Sequence, residues 1–219
     1  MGSKARWLAL ALLCGNLAVP GIAKATLLSV DLFTVGDGLV TRDTATGLDW
    51  LDLTATGSIV TGPLRFEAPS YDDIVAGAGG WTAAGWTYAT ASQVCQLFAN
   101  AKPFAPCPGG QALFTAVDLA DLQGLMNLLG ITDAFQLDGA GTSGLYGVPD
   151  PASGLVGVGE LSTATLEQTG VAGVQDELYP TDLALVNRGH FLVRAVPEPA
   201  TLGLLLAGLA ALGARRRSV

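Results

Sequence analysis

The chain has few residues suited to catalysis. It contains one histidine and three cysteines in 219 residues, and only 14% of it is charged. A Ser-His-Asp triad needs a histidine, and His190 is the single candidate. It sits beside Gly189 and Phe191 in an apolar segment, the setting of a structural or surface histidine. Two thiols and one imidazole do not complete a four-ligand zinc set. No Gly-x-Ser-x-Gly elbow, Walker loop or EF-hand pattern occurs. Gly139-x-Gly141-x-x-Gly144 has the letters of a dinucleotide fingerprint. The strand-like Leu145-Tyr146-Gly147-Val148 follows it where a helix N-terminus is needed, so it reads as a loop.

Positive charge is scarce in the middle of the chain. Between Thr26 and Val196 there are five basic residues against eighteen acidic ones, a net charge of −13. Such a body is repelled by phosphate backbones, which excludes nucleic acid as a partner. It suits an exported domain, or one that meets divalent cations.

The two ends are different. Residues 1–25 carry Lys4 and Arg6, an apolar run from Trp7 to Leu13, and Ala23-Lys24-Ala25 as a cleavage-like site. These are the three parts of a secretory signal peptide, so the mature chain is expected to begin near Thr26. Cys14 gives only a weak lipoprotein-like feature, because Leu13 stands where a small residue is expected. At the other end, Ala200 to Ala214 is uncharged and is followed by Arg215, Arg216 and Arg217. As a helix those residues span about 22 Å, or about 27 Å from Pro197, against a hydrocarbon core of about 30 Å. The helix can cross if the bilayer thins or the arginines snorkel. The arginines are expected on the cytoplasmic side. An ordinary core helix would show a polar face, and this stretch has none.

The order Val196-Pro197-Glu198-Pro199, apolar helix, arginine cluster resembles the PEP-CTERM sorting signal of exopolysaccharide-producing Gram-negative bacteria. The resemblance covers roughly the last tenth of the chain, and it is the ordered combination that is specific. It implies processing by an exosortase-type membrane enzyme, with the helix as a temporary anchor. The expected organisation is therefore residues 1–25 as signal peptide, 26–196 as the exported domain and 197–219 as the sorting signal.

In the body, three capping-box patterns mark helix starts. Ser70 with Asp73 opens a short helix that Gly77, Gly79 and Gly80 stop. Thr90 with Gln93 opens one whose Val94, Leu97, Phe98 and Ala101 share a face. Thr115 with Asp118 opens a third, with Leu119, Leu122, Met126 and Leu129 inward and Gly130 as C-cap. The segments "GLVTRD" and "GLDWLDL" flank an Asp43–Gly47 turn and predict a hairpin. "GWTYA", "AFQLD", "GLYGV", "GLVGVGEL", "LALV" and "HFLVRAV" are further strand candidates. Asp133 to Gly173 has few capping signals and reads as rich in mobile loops. The fold class is α+β, a single domain of short antiparallel strands with about three helices. Cys14 leaves with the signal peptide, so Cys95 and Cys107 remain as a pair that predicts a disulfide in an exported protein.

The stretches "VGDGLVTRDTATGLDWLDL", "GWTYATASQVCQLF" and "GHFLVRAV" are similar to a domain of many PEP-CTERM proteins. More distantly, they resemble the C-terminal domain family of the Legionella collagen-like adhesin. The matching residues are Gly36-Asp37-Gly38, Asp43, Thr46-Gly47-Leu48, Trp50, Trp86 and Val193-Arg194. The resemblance implies a C-type-lectin-like leaning and a role in adhesion. The family's central Trp-Arg-Leu-Pro is Trp86-Thr87-Tyr88-Ala89 here, and no ligand residues carry over.

The expectation is an exported, non-enzymatic structural or adhesive component of exopolysaccharide or biofilm. Its partners would be the processing enzyme, the membrane and exopolysaccharide. Two alternatives stand beside it. One is a carboxylate-dependent glycan-active enzyme; Asp49 and Asp52 bracket Trp50, but three residues apart on a strand they point to opposite faces. They read instead as a solvated acidic surface with Trp50 in the core. The other is a glycan-binding module using calcium held by Asp37, Asp43, Asp72 and Asp73, if these converge.

Overall fold

The computed structural model describes residues 27–57, 69–101, 111–115, 117–136, 139–147, 155–164, 168–185 and 187–196. The expected signal peptide, Cys107 and the tail from Pro197 onward lie outside the described residues.

Among the described residues, eleven strands and three α-helices build an α+β domain. The strands are β1 (Leu27–Val30), β2 (Val40–Asp43), β3 (Leu48–Leu51), β4 (Thr87–Tyr88), β5 (Gln111–Phe114) and β6 (Asp133–Gln136). They continue with β7 (Gly139–Tyr146), β8 (Leu155–Ala164), β9 (Thr169–Pro180), β10 (Gly189–His190) and β11 (Leu192–Ala195). The helices are α1 (Tyr71–Val75), α2 (Ala91–Ala101) and α3 (Leu119–Leu129). One sheet has the order β1-β2-β3-β11-β4; the other runs β10-β7-β8-β9-β5, with β6 also pairing β7.

The hairpin forms as its sequence predicts. β2 and β3 pair antiparallel from Val40↔Leu51 to Asp43↔Leu48. Gly47 takes a positive φ of 66°, and its N–H donates to the Asp43 carbonyl at 2.9 Å, closing the turn. Two caps also form as read. Ser70 and Asp73 exchange a complete capping box at the start of α1. Thr90 and Gln93 do the same for α2, through Gln93 N–H to Thr90 Oγ1 at 3.2 Å and Thr90 N–H to Gln93 Oε1 at 2.8 Å. The third helix starts later than expected. Thr115 and Asp118 close a turn, and Asp118 becomes the N-cap of α3 without a side-chain bond to its amides.

The main core forms where α2 and α3 meet the inner faces of both sheets. Val94, Leu97 and Phe98 of α2 pack with Leu122, Leu125, Met126 and Leu129 of α3. Trp50 and Val193 reach them from the first sheet, and Tyr146, Leu161, Ala172 and Val174 from the second. Each large side chain removed from water there contributes about 1.5–3 kcal/mol. A smaller cluster of Val40, Leu51, Ile74, Trp86 and Leu192 covers the other face of the first sheet.

Four expectations are corrected. The Asp133–Gly173 stretch is largely strand, with β6, β7, β8 and the start of β9 stacked antiparallel. Capping signals report helices only, so their scarcity there marked sheet. Gly139, Gly141 and Gly144 lie within β7, not in a loop. A side chain at Gly139 would overlap the Thr163 carbonyl, so close approach explains that glycine. "LALV" forms no strand over Leu183–Leu185, because the chain turns at Thr181–Asp182 just before it. "HFLVRAV" is two strands. β10 pairs β7 parallel in the second sheet, and β11 joins the first; the chain changes sheets at Phe191. Phe191 N–H donates to Leu145 at 2.8 Å, and its carbonyl accepts from Ala89 N–H at 2.9 Å.

Candidate functional site

The residues singled out in the sequence mostly hold the fold. Asp37 folds a loop around itself. Its carboxylate accepts N–H groups from Leu32, Phe33, Thr34 and Leu39 at 2.8–3.2 Å. Those bonds, led by Thr34, hold its pKa far below the ordinary carboxylate range. Asp43 accepts from Ala45 N–H in the hairpin turn and from Asn100 Nδ2 of α2, both at 2.9 Å. Asp72 accepts from Thr181 Oγ1, and Asp73 completes the α1 cap. The four aspartates named for calcium are therefore each engaged by a different set of partners. Among the described residues, no group of three or more His, Cys, Asp or Glu side chains is placed to hold a metal ion.

Asp49 and Asp52 do not form a solvated surface, which corrects that expectation. Asp49 is buried between two arginines, with Arg42 Nε at 2.8 Å and Arg194 Nη2 at 3.4 Å. Arg194 also lies over the ring of buried Trp86, at 4.5 Å from its centroid. Asp52 caps a 3-10 turn through Thr54 N–H at 2.7 Å, and its burial raises its pKa against those bonds. Trp50 is in the core, as read.

His190 is closed off. It is 1% exposed, and both ring nitrogens are committed. The Pro69 carbonyl can only accept, so Nε2 carries the proton and donates to it at 2.9 Å. Nδ1 then accepts from Tyr88 Oη at 2.7 Å. Burial lowers the histidine pKa to about 4, against opposing contributions from the Pro69 bond and Asp73. Burial also pushes the Tyr88 hydroxyl well above its usual range, and Tyr71 stacks on its ring at 4.2 Å. A neutral imidazole with neither nitrogen free is poorly placed to move a proton to or from a bound molecule.

One cleft stands apart from these elements, and no sequence pattern pointed to it. On one edge of β7, β6 covers the first half, with Asp133 opposite Gly141. β10 covers the second half, from Gly189 opposite Gly144. Thr142 and Ser143 lie between them, and the interval opens a cleft of about 170 Å³. Asp133, Ser143, Glu160, Asn187 and Arg188 line it. Glu160 is placed by the β7–β8 register, directly opposite Ser143. Its residues come from four separate parts of the chain, so no local window of sequence contains the site.

Cys95 is buried on α2, and its expected partner Cys107 lies outside the described residues. Among the described residues no helix is long and apolar enough to cross a membrane, and the expected tail helix is not among them. The folded body reaches the tail within one residue. β11 ends at Ala195, and Val196 N–H donates to the Gly47 carbonyl at 2.9 Å.

No curated protein and no solved structure matches the chain, so nothing supports the lectin-like leaning or the adhesin resemblance. Residues 195–217 match the PEP-CTERM protein-sorting motif, which implies handling by an exosortase and transient membrane anchoring on the way to the surface.

Proposed function

We propose that this chain is an exported surface or matrix protein whose acidic body is a non-enzymatic structural or adhesive component of exopolysaccharide or biofilm. In this reading residues 1–25 are a signal peptide, and Pro197, Glu198 and Pro199 are the segment where an exosortase acts. The apolar helix and Arg215, Arg216 and Arg217 hold the chain in the membrane until then. A Cys95–Cys107 disulfide ties α2 to the segment that follows it, contributing about 2–3 kcal/mol.

The observation that carries the reading is the sorting motif over residues 195–217, which begins at the end of β11, the last described strand. The last strand is already paired on both sides, to β3 and β4, before Pro197 is reached. Loss of the tail would therefore remove none of the described strands. The buried state of His190 and the structural bonds that engage Asp37, Asp43 and Asp49 support a non-enzymatic role.

Intact-mass spectrometry of the protein recovered from its exporting host, fraction by fraction, tests this. The expected mass lacks both the signal peptide and everything after the Pro197–Pro199 segment, in the surface or medium fraction. Retention of Ala200 to Val219 in the membrane fraction would mean a permanent anchor and overturn the release step. The same spectra, with and without reduction, show whether Cys95 and Cys107 are joined.

A further inference from the structure

We infer that the end of β11 is a latch on the sorting segment: Arg194, Ala195 and Val196 lift from β3 before the tail is cut. This rests on the exosortase reading above and adds an ordered step to it. The matched motif begins at residue 195, inside β11, so its first residues also belong to the fold. Arg194 and Ala195 pair with Asp49 and Leu48, and Val196 N–H donates to the Gly47 carbonyl at 2.9 Å. Arg194 is held further by Asp49 at 3.4 Å and by the Trp86 ring, 4.5 Å from its centroid. From Val196 to Ala200, where the uncharged stretch begins, the chain can reach at most about 14 Å. A helix with its side chains is about 10–12 Å across, so the space between a folded body and the bilayer admits one layer of polypeptide. An extended peptide is recognised through main-chain bonds along several residues. Upstream of Pro197 those residues are Arg194, Ala195 and Val196, and β3 and the Asp43–Gly47 turn already hold them.

The fold lets this end lift without the rest of the strand. β4 pairs with β11 only at Leu192 and Val193. Val193 is therefore held on both sides, by Trp50 and by Thr87, whereas Arg194 and Ala195 are paired to β3 alone. Leu192 and Val193 are buried; Ala195 is exposed, and Arg194 and Val196 are half-buried. None of the last three is a member of a core cluster, so lifting them takes no side chain out of the core. Segments with few buried apolar contacts open locally, well below the cost of global unfolding. Val193 is then the hinge. Pro197 has no N–H to lengthen the ladder, so the latch ends at Val196. After the cut the same residues can pair again, and the released body keeps β11 whole.

The test follows tail removal over time in the exporting host, by intact mass of the full-length chain and its product. One variant inserts about six Gly and Ser residues between Val196 and Pro197, which supplies reach without touching β11. A second, Arg194→Ala, removes the ion pair and the contact with Trp86. A third carries both changes. The expected result is removal about threefold faster or more in each single variant, with the double variant no faster than the insertion alone. That last equality separates a latch from general loosening of the body, which would add to the insertion. Tail removal at the wild-type rate, or slower, in the insertion variant would overturn the latch and leave the release reading standing. So would a double variant clearly faster than the insertion alone. An Arg194→Ala rate equal to wild type would show that the hold on β11 does not set the pace, and would overturn it too. Retention of the tail by the wild type and every variant would overturn the release reading itself. Hydrogen exchange on the wild-type chain gives an independent check: Val196 should exchange faster than Val193, and equal protection at the two would overturn the hinge.

Discussion

Arg194 on β11 meets Asp49 on β3 across 145 residues of sequence, with Nη2 3.4 Å from Oδ2. The register places them directly opposite, and it places Arg42 opposite Asp49 on the other side. Three charged residues thus form one row across the first sheet, with the carboxylate in the middle. Hydrogen bonding to Asp49 raises the Arg42 pKa further. The row ties the opening hairpin to the last strand before the sorting motif.

Asp49→Ala leaves two arginines without their shared carboxylate. Asp49 is 1% exposed, but the arginines are about one-third exposed and can regain water. The expected loss is about 2–3 kcal/mol, below the full cost of an uncompensated buried charge. Urea unfolding of the variant against the wild type measures it.

His190 makes stability depend on pH in a defined window. Its pKa is about 4 in the fold, against an ordinary 6.5. Below 6.5 the unfolded chain binds a proton that the folded chain refuses, so folding weakens as pH falls. The contribution is fully present above 6.5 and lost progressively down to about 4, amounting to about 3 kcal/mol at most. The difference in stability between wild type and His190→Gln should therefore change between pH 7 and pH 4. A difference that stays flat across that window would show that the buried imidazole is not refusing a proton.

Two glycines on different elements predict opposite outcomes. A Cβ at Gly144 would lie 2.7 Å from Leu53 Cδ2 and 3.1 Å from Phe191 Cδ2, at the heart of the core. Gly144→Ala should destabilise by about 1–3 kcal/mol through overpacking. Gly124 lies on the exposed side of α3 with nothing near its missing Cβ. Gly124→Ala should stabilise by about 0.5–1 kcal/mol through helix propensity. Thermal or urea unfolding of the pair reads both signs.

The Asp37 loop predicts a local effect. Asp37→Ala removes the acceptor for the Leu32, Phe33, Thr34 and Leu39 amides together. Hydrogen exchange at Phe33 and Thr34 should speed up while exchange in β7 and β8 stays unchanged. Because its folded pKa is depressed, Asp37 supports the loop at neutral pH. That support is lost only as pH falls below the ordinary carboxylate range.

Much of this was legible where the signal is short. The capping boxes at Ser70 and Thr90, the Asp43–Gly47 turn and the buried Trp50 each follow from residues within four or five positions of one another. The apolar face of α2 follows from one helical period. The third capping box misled because Thr115 and Asp118 can bond equally well in a simple turn. The burial of Asp49 was missed because its two partners lie on other strands, one of them at the far end of the chain. The "V-R" at Val193-Arg194 carries no sign of its task in the sequence, because that task depends on Asp49 and Trp86 from distant parts of the chain.

The tail needed no fold to be read. Its prolines, apolar run and arginines act through charge, length and hydropathy, which are properties of the string itself, and the family match falls on residues 195–217. The polar cleft and the closed histidine are the opposite case. Each is assembled from strands and turns far apart in sequence, and the β7–β8 register and the sheet change at Phe191 decide what lies beside what. Charge and hydropathy are carried by each residue wherever it sits, whereas a site exists only once long-range pairing has put its members side by side.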